Sequence, residues 1–277
     1  MAASILQELA AASRARVDAA KLSASPSDLH DQALDAASAH QGSRPFFDAL
    51  AAPKLSFICE CKKASPSKGV IAEHFPYVQI ARDYEAAGAD AISVLTEPTR
   101  FLGKLDYLRE ISQETHIPTL RKDFIVDAYQ IDEAAVAGAA AVLLICAILD
   151  EKTLAAFIAH ADEVGLSALV EAHDEGEVQK ALRAGARIIG VNNRNLNNFT
   201  VNFDNALALR KAVPKDVLFV AESGVKGPDD VAVLAKTGAD AVLVGEALMR
   251  ATDKAGTLAS FKQAAARAVA DGGGERA

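Results

Sequence analysis

Four stretches of the chain share one pattern of small, polar and apolar positions. In each of them, an amphipathic segment ends at a glycine and is followed by an uninterrupted run of Val, Ile, Leu and Ala. Glycine at such a place is typical of a helix end, and an apolar run without polar alternation is typical of a strand covered on both faces. The four stretches are AAGADAISVL (86–95), VAGAAAVLLI (136–145), RAGARIIGVN (183–192) and KTGADAVLVG (236–245).

Further runs between these stretches have the length and composition of strands. They are LSFICE (55–60), HIPTLRKDF (116–124), SALVEAH (167–173) and VLFVAESG (217–224). The intervening segments are amphipathic, and Asp127, Asp150 and Asp174 stand where a helix N-cap is expected. The pattern therefore predicts eight strands, each followed by a helix, with about 25 residues for each pair.

Eight such units favour an α/β fold, a (β/α)8 TIM barrel, with the strands buried on both faces. An open doubly wound sheet is the alternative, but it would normally show a GxGxxG turn after the first strand, and none is present. We expect an N-terminal helical extension at 1–45, helical over 4–21 and polar around 23–31. The catalytic barrel is expected at 46–268 and a flexible tail at 269–277.

Composition and charge narrow the class of protein. Apolar residues make up 51% of the 277 residues and charged residues 24%, which is enough for a packed core. The net charge of −8 argues against a nucleic-acid partner. No apolar run is long enough to span a membrane, and the N-terminus lacks the pattern of a secretory signal. Three cysteines cannot build a disulfide framework, so we expect a protein of a reducing compartment, the cytoplasm. We separately expect a monomer or weak homodimer.

Alternation along the strands indicates where charge collects. Glu60 and Lys62 share one face of the first strand, while Cys59 and Cys61 share the other face, which should lie under the helices. Lys122, Glu171 and Glu222 stand at the ends of the third, fifth and seventh strands. Each of them could be a rim residue or a structural ion pair. Because alternate strands supply one interior layer of a barrel, and buried charge is costly, five charged residues together predict a site.

Two other signals concern anions and metals. Gly224 and Gly245 follow the seventh and eighth strands, where such barrels bind phosphate through backbone N–H groups. The six histidines show no HxH or HExxH spacing, and the CxC pair has no second cysteine pair, so no metal site is predicted. His173 is expected to serve in a loop or in packing. Asn192 should face inward, unlike the turn-forming asparagines that follow it.

Six motifs in order resemble the indole-3-glycerol-phosphate synthase family. They are ECKKASPSKG (60–69), LRKDFI (120–125), LVEAHDE (169–175), GVNNRNL (190–196), AESGV (221–225) and VGEALM (244–249). The resemblance covers about residues 45–250. It implies conversion of 1-(2-carboxyphenylamino)-1-deoxyribulose 5-phosphate to indole-3-glycerol phosphate, carbon dioxide and water, without a metal or organic cofactor. The family usually has small or aliphatic residues where Cys59 and Cys61 stand, which should not affect the chemistry.

The resemblance also implies roles in catalysis. Lys122 is the acid at the ketone oxygen during ring closure, and Glu171 is the acid/base candidate for dehydration. Glu60 and Lys62 orient and stabilise the intermediate, and Lys62 can take part in proton transfer. Two further residues hold the sugar hydroxyls or the anilino nitrogen, namely Asn192 and Glu222.

Substrate binding follows from the same resemblance, with Arg194 placed to meet the substrate carboxylate. The phosphate is assigned to Ser65, Ser223, Gly224, Gly245 and the backbone N–H of Glu246, whose side chain would repel it. The apolar pocket for the benzoate ring is assigned to Phe101, Phe124, Leu143, Ile145 and Leu196. The loop SPSKG at 65–69 is expected to close over the phosphorylated substrate.

Other readings stay open at this point. Phosphoribosylanthranilate isomerase and the tryptophan synthase α subunit share the phosphate site, but neither explains ECKKASPSKG together with Lys122 and Glu171. A Schiff-base aldolase using Lys122 is a third enzyme alternative. A non-catalytic barrel that binds a phosphorylated ligand is the alternative from a different class of protein.

Overall fold

A computed structural model of the chain describes residues 5–38, 42–194 and 203–271. Eight parallel strands form a closed barrel in sequence order, with β8 pairing with β1, which confirms the predicted (β/α)8 fold. The strands are β1 (Ser56–Cys61), β2 (Ala91–Leu95), β3 (Thr119–Lys122), β4 (Ala141–Ile145), β5 (Ser167–Ala172), β6 (Ile188–Asn192), β7 (Leu218–Glu222) and β8 (Ala241–Val244). Within these ranges, no helix is long and apolar enough to cross a membrane.

Helices precede, surround and follow the barrel. Those before β1 are α1 (Ile5–Lys21), α2 (Pro26–Ser38) and α3 (Pro45–Leu50). Those after it are α4 (Tyr77–Ala86), α5 (Leu105–Glu114), α6 (Tyr129–Val136), α7 (Glu151–Glu163), α8 (Glu175–Arg183), α9 (Asp204–Arg210), α10 (Pro228–Lys236), α11 (Glu246–Arg250) and α12 (Lys254–Asp271). Helix α2 begins inside the polar stretch 23–31, where a proline suits the first turn because it has no N–H to leave unpaired.

The helix ends follow the local sequence closely. Asp150 accepts a hydrogen bond from the Thr153 N–H at 2.8 Å, and Asp174 accepts one from the Glu177 N–H at 2.9 Å. Asp127 stands one residue before the N-cap of α6 and accepts from the Tyr129 N–H. The glycines of the four repeated stretches all have a positive φ, which ends their helices in the left-handed conformation.

Two apolar layers divide the strand residues between them. Cys59 and Cys61 are fully buried between the strands and the surrounding helices, as the alternation predicted. Ile58 and Leu169 belong to the layer that fills the barrel interior. Helix α3 precedes β1 directly, and the Ser56 hydroxyl donates to the Ala49 carbonyl at 3.0 Å. The amino-terminal end of β1 is therefore bonded to the short helix that precedes it.

The register brings the carboxyl ends of the strands together at one mouth. Asn192 pairs with Glu222 across β6 and β7, and Glu171 pairs with Gly190 across β5 and β6. After β1, residues Ala64–Ser65 and Gly69–Val70 form a short antiparallel pair. The loop SPSKG is thus a hairpin beside the mouth, and its turn carries Lys68.

Candidate active site

A cavity of about 850 Å³ opens at the carboxyl ends of the strands. It is lined by charged residues on strand ends, by small residues on the loops after β7 and β8, and by apolar residues from β3, β4 and α1. Of the predicted site residues that the structure describes, only Glu222 is not in its wall, because it lies behind Lys122. Leu196 falls outside the described residues. The sequence motifs therefore converge on one cavity.

Lys122 stands at the end of β3 between two carboxylates. Its Nζ lies 3.2 Å from Glu222 Oε2 and 3.8 Å from Glu171 Oε2. Burial by itself would lower the pKa of Lys122, but the charges of Glu222 and Glu171 outweigh it and raise the pKa above its ordinary value. The side chain therefore presents an ammonium group to the cavity.

Glu222 is buried beneath that ammonium group, which differs from the expectation that it would contact substrate. Its carboxylate fits there because β6 carries Gly190, where a Cβ would collide with Glu222 Oε1. That oxygen has no hydrogen-bond partner among the described residues. Burial raises the pKa of Glu222, and the repulsion from Glu171 keeps it raised against the attraction of Lys122. The contact at 3.2 Å makes Glu222 a support for Lys122.

Glu171 is oriented from two sides. Asn192 Nδ2 donates to Glu171 Oε1 at 3.3 Å, and His173 Nε2 lies 3.2 Å from the same oxygen. Burial would raise the pKa of Glu171, but the contact with His173 and the charge of Lys122 outweigh it and lower the pKa. An ionised carboxylate therefore faces the cavity.

His173 has a larger part in this arrangement than the loop or packing role expected from the sequence. Its Nδ1 lies 3.0 Å from Glu177 Oε2, so the ring bridges Glu177 and Glu171. Burial opposes a charged ring, but the nearby carboxylates of Glu171 and Glu177 raise the pKa of His173 to about 10. The one indication in the sequence was that His173 follows Glu171 by two residues, and this spacing does not by itself predict where its ring points.

Glu60 and Lys62 form an ion pair on the opposite wall. Burial would raise the pKa of Glu60, but the charges of Lys62 and Lys122 lower it overall. A Cβ at Gly245 would collide with Glu60 Oε2 and lie 3.0 Å from Lys62 Nζ. Gly245 was expected to cradle phosphate, and its small size also leaves room for this ion pair.

The predicted phosphate-binding residues gather at one end of the cavity. They are Ser65, Ser223, Gly224, Gly245 and Glu246. Ser223 and Gly224 have φ angles of 67° and 97°, which bend the chain sharply after β7. The Glu246 carboxylate lies 3.2 Å from Arg250 Nε and 3.6 Å from Lys68 Nζ. Its charge is therefore matched by two cations of the cavity wall that the sequence analysis did not single out.

The other end of the cavity is apolar. The rings of Phe101 and Phe124 have centroids 6.3 Å apart, and Leu143 and Ile145 lie in the same wall. Arg194 also faces the cavity, and its backbone N–H donates to Asn192 Oδ1 at 3.0 Å. The sequence analysis missed Ile5, Leu6 and Leu9 of α1, which complete this wall. Their helical spacing on one face was the available signal.

Helix α1 is held at the mouth by polar contacts. Arg16 Nη2 donates to Asp123 Oδ1 at 2.8 Å, and the Ser13 hydroxyl donates to the Phe124 carbonyl at 2.6 Å. Both acceptors follow Lys122 directly in the chain. The N-terminal extension is therefore bonded to the segment that carries the central lysine and part of the apolar wall.

Comparisons with known proteins agree with this site. The family model described as "Indole-3-glycerol phosphate synthase" matches residues 6–261. A protein of that name from Ruminiclostridium cellulolyticum is 51% identical over 261 residues, covering 94% of this chain and the whole of that relative. Another, from Lactiplantibacillus plantarum, is 59% identical over 205 residues, 74% of this chain and 79% of the relative. Among solved structures, 3-hexulose-6-phosphate synthase from Salmonella typhimurium superposes with a TM-score of 0.65 at 19% identity, covering 77% of this chain and all of that one.

Proposed function

Since the chain belongs to the indole-3-glycerol phosphate synthase family, carboxy-lyases of tryptophan biosynthesis, we propose which of its residues carry out each step. The reaction converts 1-(2-carboxyphenylamino)-1-deoxyribulose 5-phosphate to indole-3-glycerol phosphate, carbon dioxide and water. The proposal rests on one observation above all. An ammonium group held between two carboxylates, that of Lys122, faces a cavity with a polar end and an apolar end.

The two ends of the cavity orient the substrate. The sugar phosphate binds at the loops after β7 and β8, near Ser65, Ser223, Gly224 and Gly245. The benzoate ring binds among Phe101, Phe124, Leu143 and Ile145, with Leu9 of α1 beside it. The family resemblance of the sequence adds Leu196 to this pocket. Arg194 pairs with the ring's carboxylate. Binding at both ends folds the flexible substrate so that its aryl carbon and its ketone carbon approach each other beside Lys122.

Lys122 is the acid for ring closure. The aryl carbon that bears the carboxylate forms a bond to the ketone carbon, and the ketone oxygen takes a proton from the Lys122 ammonium group. An amine with a raised pKa can make this transfer because the developing alkoxide is a far stronger base. Glu222 is a positioning residue that holds the Lys122 ammonium group at 3.2 Å. It acts on the sugar hydroxyls or the anilino nitrogen of the substrate through Lys122 and does not contact them itself.

The later steps use the ion pair of Lys62 with Glu60 and the carboxylate of Glu171, which line the same cavity. Loss of carbon dioxide breaks the bond between the ring and the carboxylate, and its electron pair returns to the ring system. The hydroxyl then leaves as water with a proton from Lys62, which Glu60 holds in place. Glu171 accepts the proton lost as the indole forms, and Asn192 and His173 orient it. The sum is one proton taken up per carboxylate lost.

We also propose that the chain acts as a monomer or weak homodimer in the cytoplasm, with a small phosphorylated molecule as substrate and no nucleic-acid or membrane partner. The net charge of −8 supports this part of the proposal, because it disfavours binding to nucleic acids and to anionic lipid surfaces. Gel filtration across a range of protein concentrations tests the assembly state.

Indole fluorescence tests the assigned roles. The chain contains no Trp, so indole emission that grows during incubation with substrate reports product alone. We expect emission from the wild type and none above background from Lys122→Ala with an unchanged circular dichroism spectrum. Lys211→Ala is the matched control, since Lys211 is exposed at the carboxyl end of α9 and lies outside the cavity wall.

Two outcomes would contradict the assignments. Turnover by Lys122→Ala at the rate of the control variant would remove Lys122 from the mechanism. Trapping of the substrate on Lys122 by borohydride would replace the acid role with a Schiff base. The first outcome leaves the family activity in place, so failure of the residue roles is distinguishable from failure of the reaction.

A further inference from the structure

Three potential metal ligands meet on the outside of the barrel, away from the cavity. His30 on α2, Asp132 on α6 and His160 on α7 are the only set of three His, Cys, Asp or Glu side chains in 5–38, 42–194 and 203–271 whose donor atoms all lie within 4.8 Å. His30 Nδ1 is 3.1 Å and His160 Nε2 is 2.7 Å from the same oxygen, Asp132 Oδ1. None of the three lines the cavity.

The donor set suits zinc. Two imidazole nitrogens and one carboxylate oxygen are common zinc ligands, at about 2.0–2.2 Å from the ion. Tetrahedral ligands at that distance are about 3.3 Å from one another. The two observed nitrogen-to-oxygen distances, 3.1 and 2.7 Å, are close to that value. The centroids of the two rings lie 5.0 Å apart, so binding an ion requires both rings to turn from their contacts with Asp132 toward it.

The surroundings of the cluster agree with metal binding. Side chains of His30 and His160 are 29% and 20% exposed, so an ion can enter from solvent and water can take the fourth position. The second ring nitrogen of His160, Nδ1, lies 4.0 Å from Glu163 Oε2. At that distance the two groups do not hydrogen-bond, so Glu163 contributes only a nearby negative charge to the site.

We propose that His30, Asp132 and His160 bind one Zn²⁺ ion that clamps α2 onto α6 and α7. The ligands come from one helix of the N-terminal extension and two helices of the barrel, so the ion joins the two parts. Helix α2 already packs on α6 through Leu29, which belongs to one apolar cluster with Val17 and Tyr129. The clamp would hold the extension whose first helix, α1, forms part of the cavity wall.

Metal titration of the untagged full chain tests the proposal. After treatment with a chelator, the wild type is expected to bind one Zn²⁺ per chain in calorimetry with micromolar affinity or tighter. Bound Co²⁺ should show the visible bands of a tetrahedral site without thiolate charge-transfer absorption, since no cysteine is a ligand. Zn²⁺ should also raise the Tm of the wild type.

Variants assign the binding to these residues. His30→Gln and His160→Gln are each expected to lower the zinc association constant at least tenfold and to abolish the rise in Tm. His116→Gln is the matched control, because His116 stands on the surface 3.5 Å from Glu85 and belongs to no set of three ligands in the part of the chain that the structure describes. It should bind zinc like the wild type.

Several results would overturn the proposal. Absence of zinc binding by the wild type would leave the two rings as hydrogen-bond partners of Asp132 only. Unchanged affinity in His30→Gln and His160→Gln would place the ion elsewhere. If His160→Gln fails to fold without metal, His30→Gln decides the question, since its ring is the more exposed of the two.

Discussion

Two clusters of buried charge lie on opposite sides of β3 and differ in how completely they are paired. The inner cluster is the mouth layer, with Lys122 at its centre and four other members, Glu60, Lys62, Glu171 and Glu222. The outer cluster is centred on Arg121, which is 5% exposed, and its other members are Arg16, Glu97, Asp123 and Glu133. Neighbouring residues of one strand therefore serve two separate charge networks, because side chains alternate between its faces.

The outer cluster is satisfied within the protein. Arg121 donates to the Gln130 carbonyl at 2.6 Å and to Glu133 Oε2 at 3.0 Å, and Asp123 accepts from Thr96 and from Arg16. In the mouth layer, the ammonium of Lys122 faces a cavity and one oxygen beneath it lacks a partner. The outer cluster also borders a cavity, a smaller one of about 270 Å³, but there the charges of Arg121, Asp123 and Glu133 are paired with one another. The difference teaches that mutually paired buried charge maintains the fold, whereas charge left open toward a cavity is available for chemistry.

The largest expected effect is on catalysis in the mouth layer. Lys122→Met keeps the length of the side chain and removes its proton, so kcat should fall about 10²–10⁴-fold. The free energy of unfolding should fall less than it does when a fully enclosed ion pair loses its cation, because Glu222 can be protonated once Lys122 is absent. Steady-state fluorescence and urea unfolding measure the two quantities. The comparison would be reversed if Lys122→Met lost stability while its folded fraction kept the kcat of the wild type.

The matching change in the outer cluster should act on stability. Arg121→Met leaves Asp123 and Glu133 without their buried cation, which should cost about 3–5 kcal/mol of unfolding free energy. The folded fraction should retain a kcat near that of the wild type. Urea unfolding and active-site-normalised rates are the measurements. A stable Arg121→Met protein with lost turnover would show that the outer cluster also serves catalysis.

A smaller effect is expected where the barrel makes room for Glu222. Gly190→Ala places a methyl group against Glu222 Oε1, so the carboxylate must move away from Lys122. We expect a loss of about 1–3 kcal/mol in unfolding free energy together with a lower kcat. Gly227→Ala is the control, since nothing lies within 4 Å of the new Cβ and its φ of −158° suits any residue. Equal behaviour of the two variants would mean that Glu222 does not depend on the space at Gly190.

The smallest effect should appear as a pH dependence of His173. Folding raises the pKa of this ring from about 6.5 to about 10, so its stabilising contribution is complete below the lower value and is lost as pH rises toward the upper one. His173→Gln should therefore cost about 1 kcal/mol at pH 6 and progressively less toward pH 10. Urea unfolding of both proteins across this range is the measurement, with the exposed His116→Gln as control. A cost that does not fall with pH would exclude the charged ring.

Much of the candidate site followed from the sequence because strands are local and periodic. Alternation placed Glu60 and Cys59 on opposite faces, and the structure has them there. The pattern of eight strands placed the ends of the odd-numbered strands in one layer of a barrel, so Lys122 and Glu171 were expected at the same level of the mouth. The sequence did not predict how deeply each charged side chain of the layer is buried. Glu222 lies behind Lys122 because of the space left at Gly190, which only the packed structure shows.

The N-terminal extension shows what local sequence patterns cannot predict. Its first helix was expected, but its place over the cavity depends on bonds such as that from Arg16 to Asp123, 107 residues along the chain. The start of α2 in a polar stretch was likewise hidden, because its buried face is narrow and includes only Leu29 and Ala33. Packing of the extension on the barrel therefore decided which of its residues reach the site.

The sequence by itself determined the eight-fold alternation, the helix ends, the faces of the strands and the family, since all of these depend on residues close together in the chain or in fixed motifs. Tertiary structure alone decided that His173 orients Glu171 and that α1 completes the cavity. It also decided that His30 and Asp132 meet across 102 residues, and His160 and Asp132 across 28. Such long-range contacts depend on how whole helices pack on the barrel, so the spacing of side chains along one segment does not predict them.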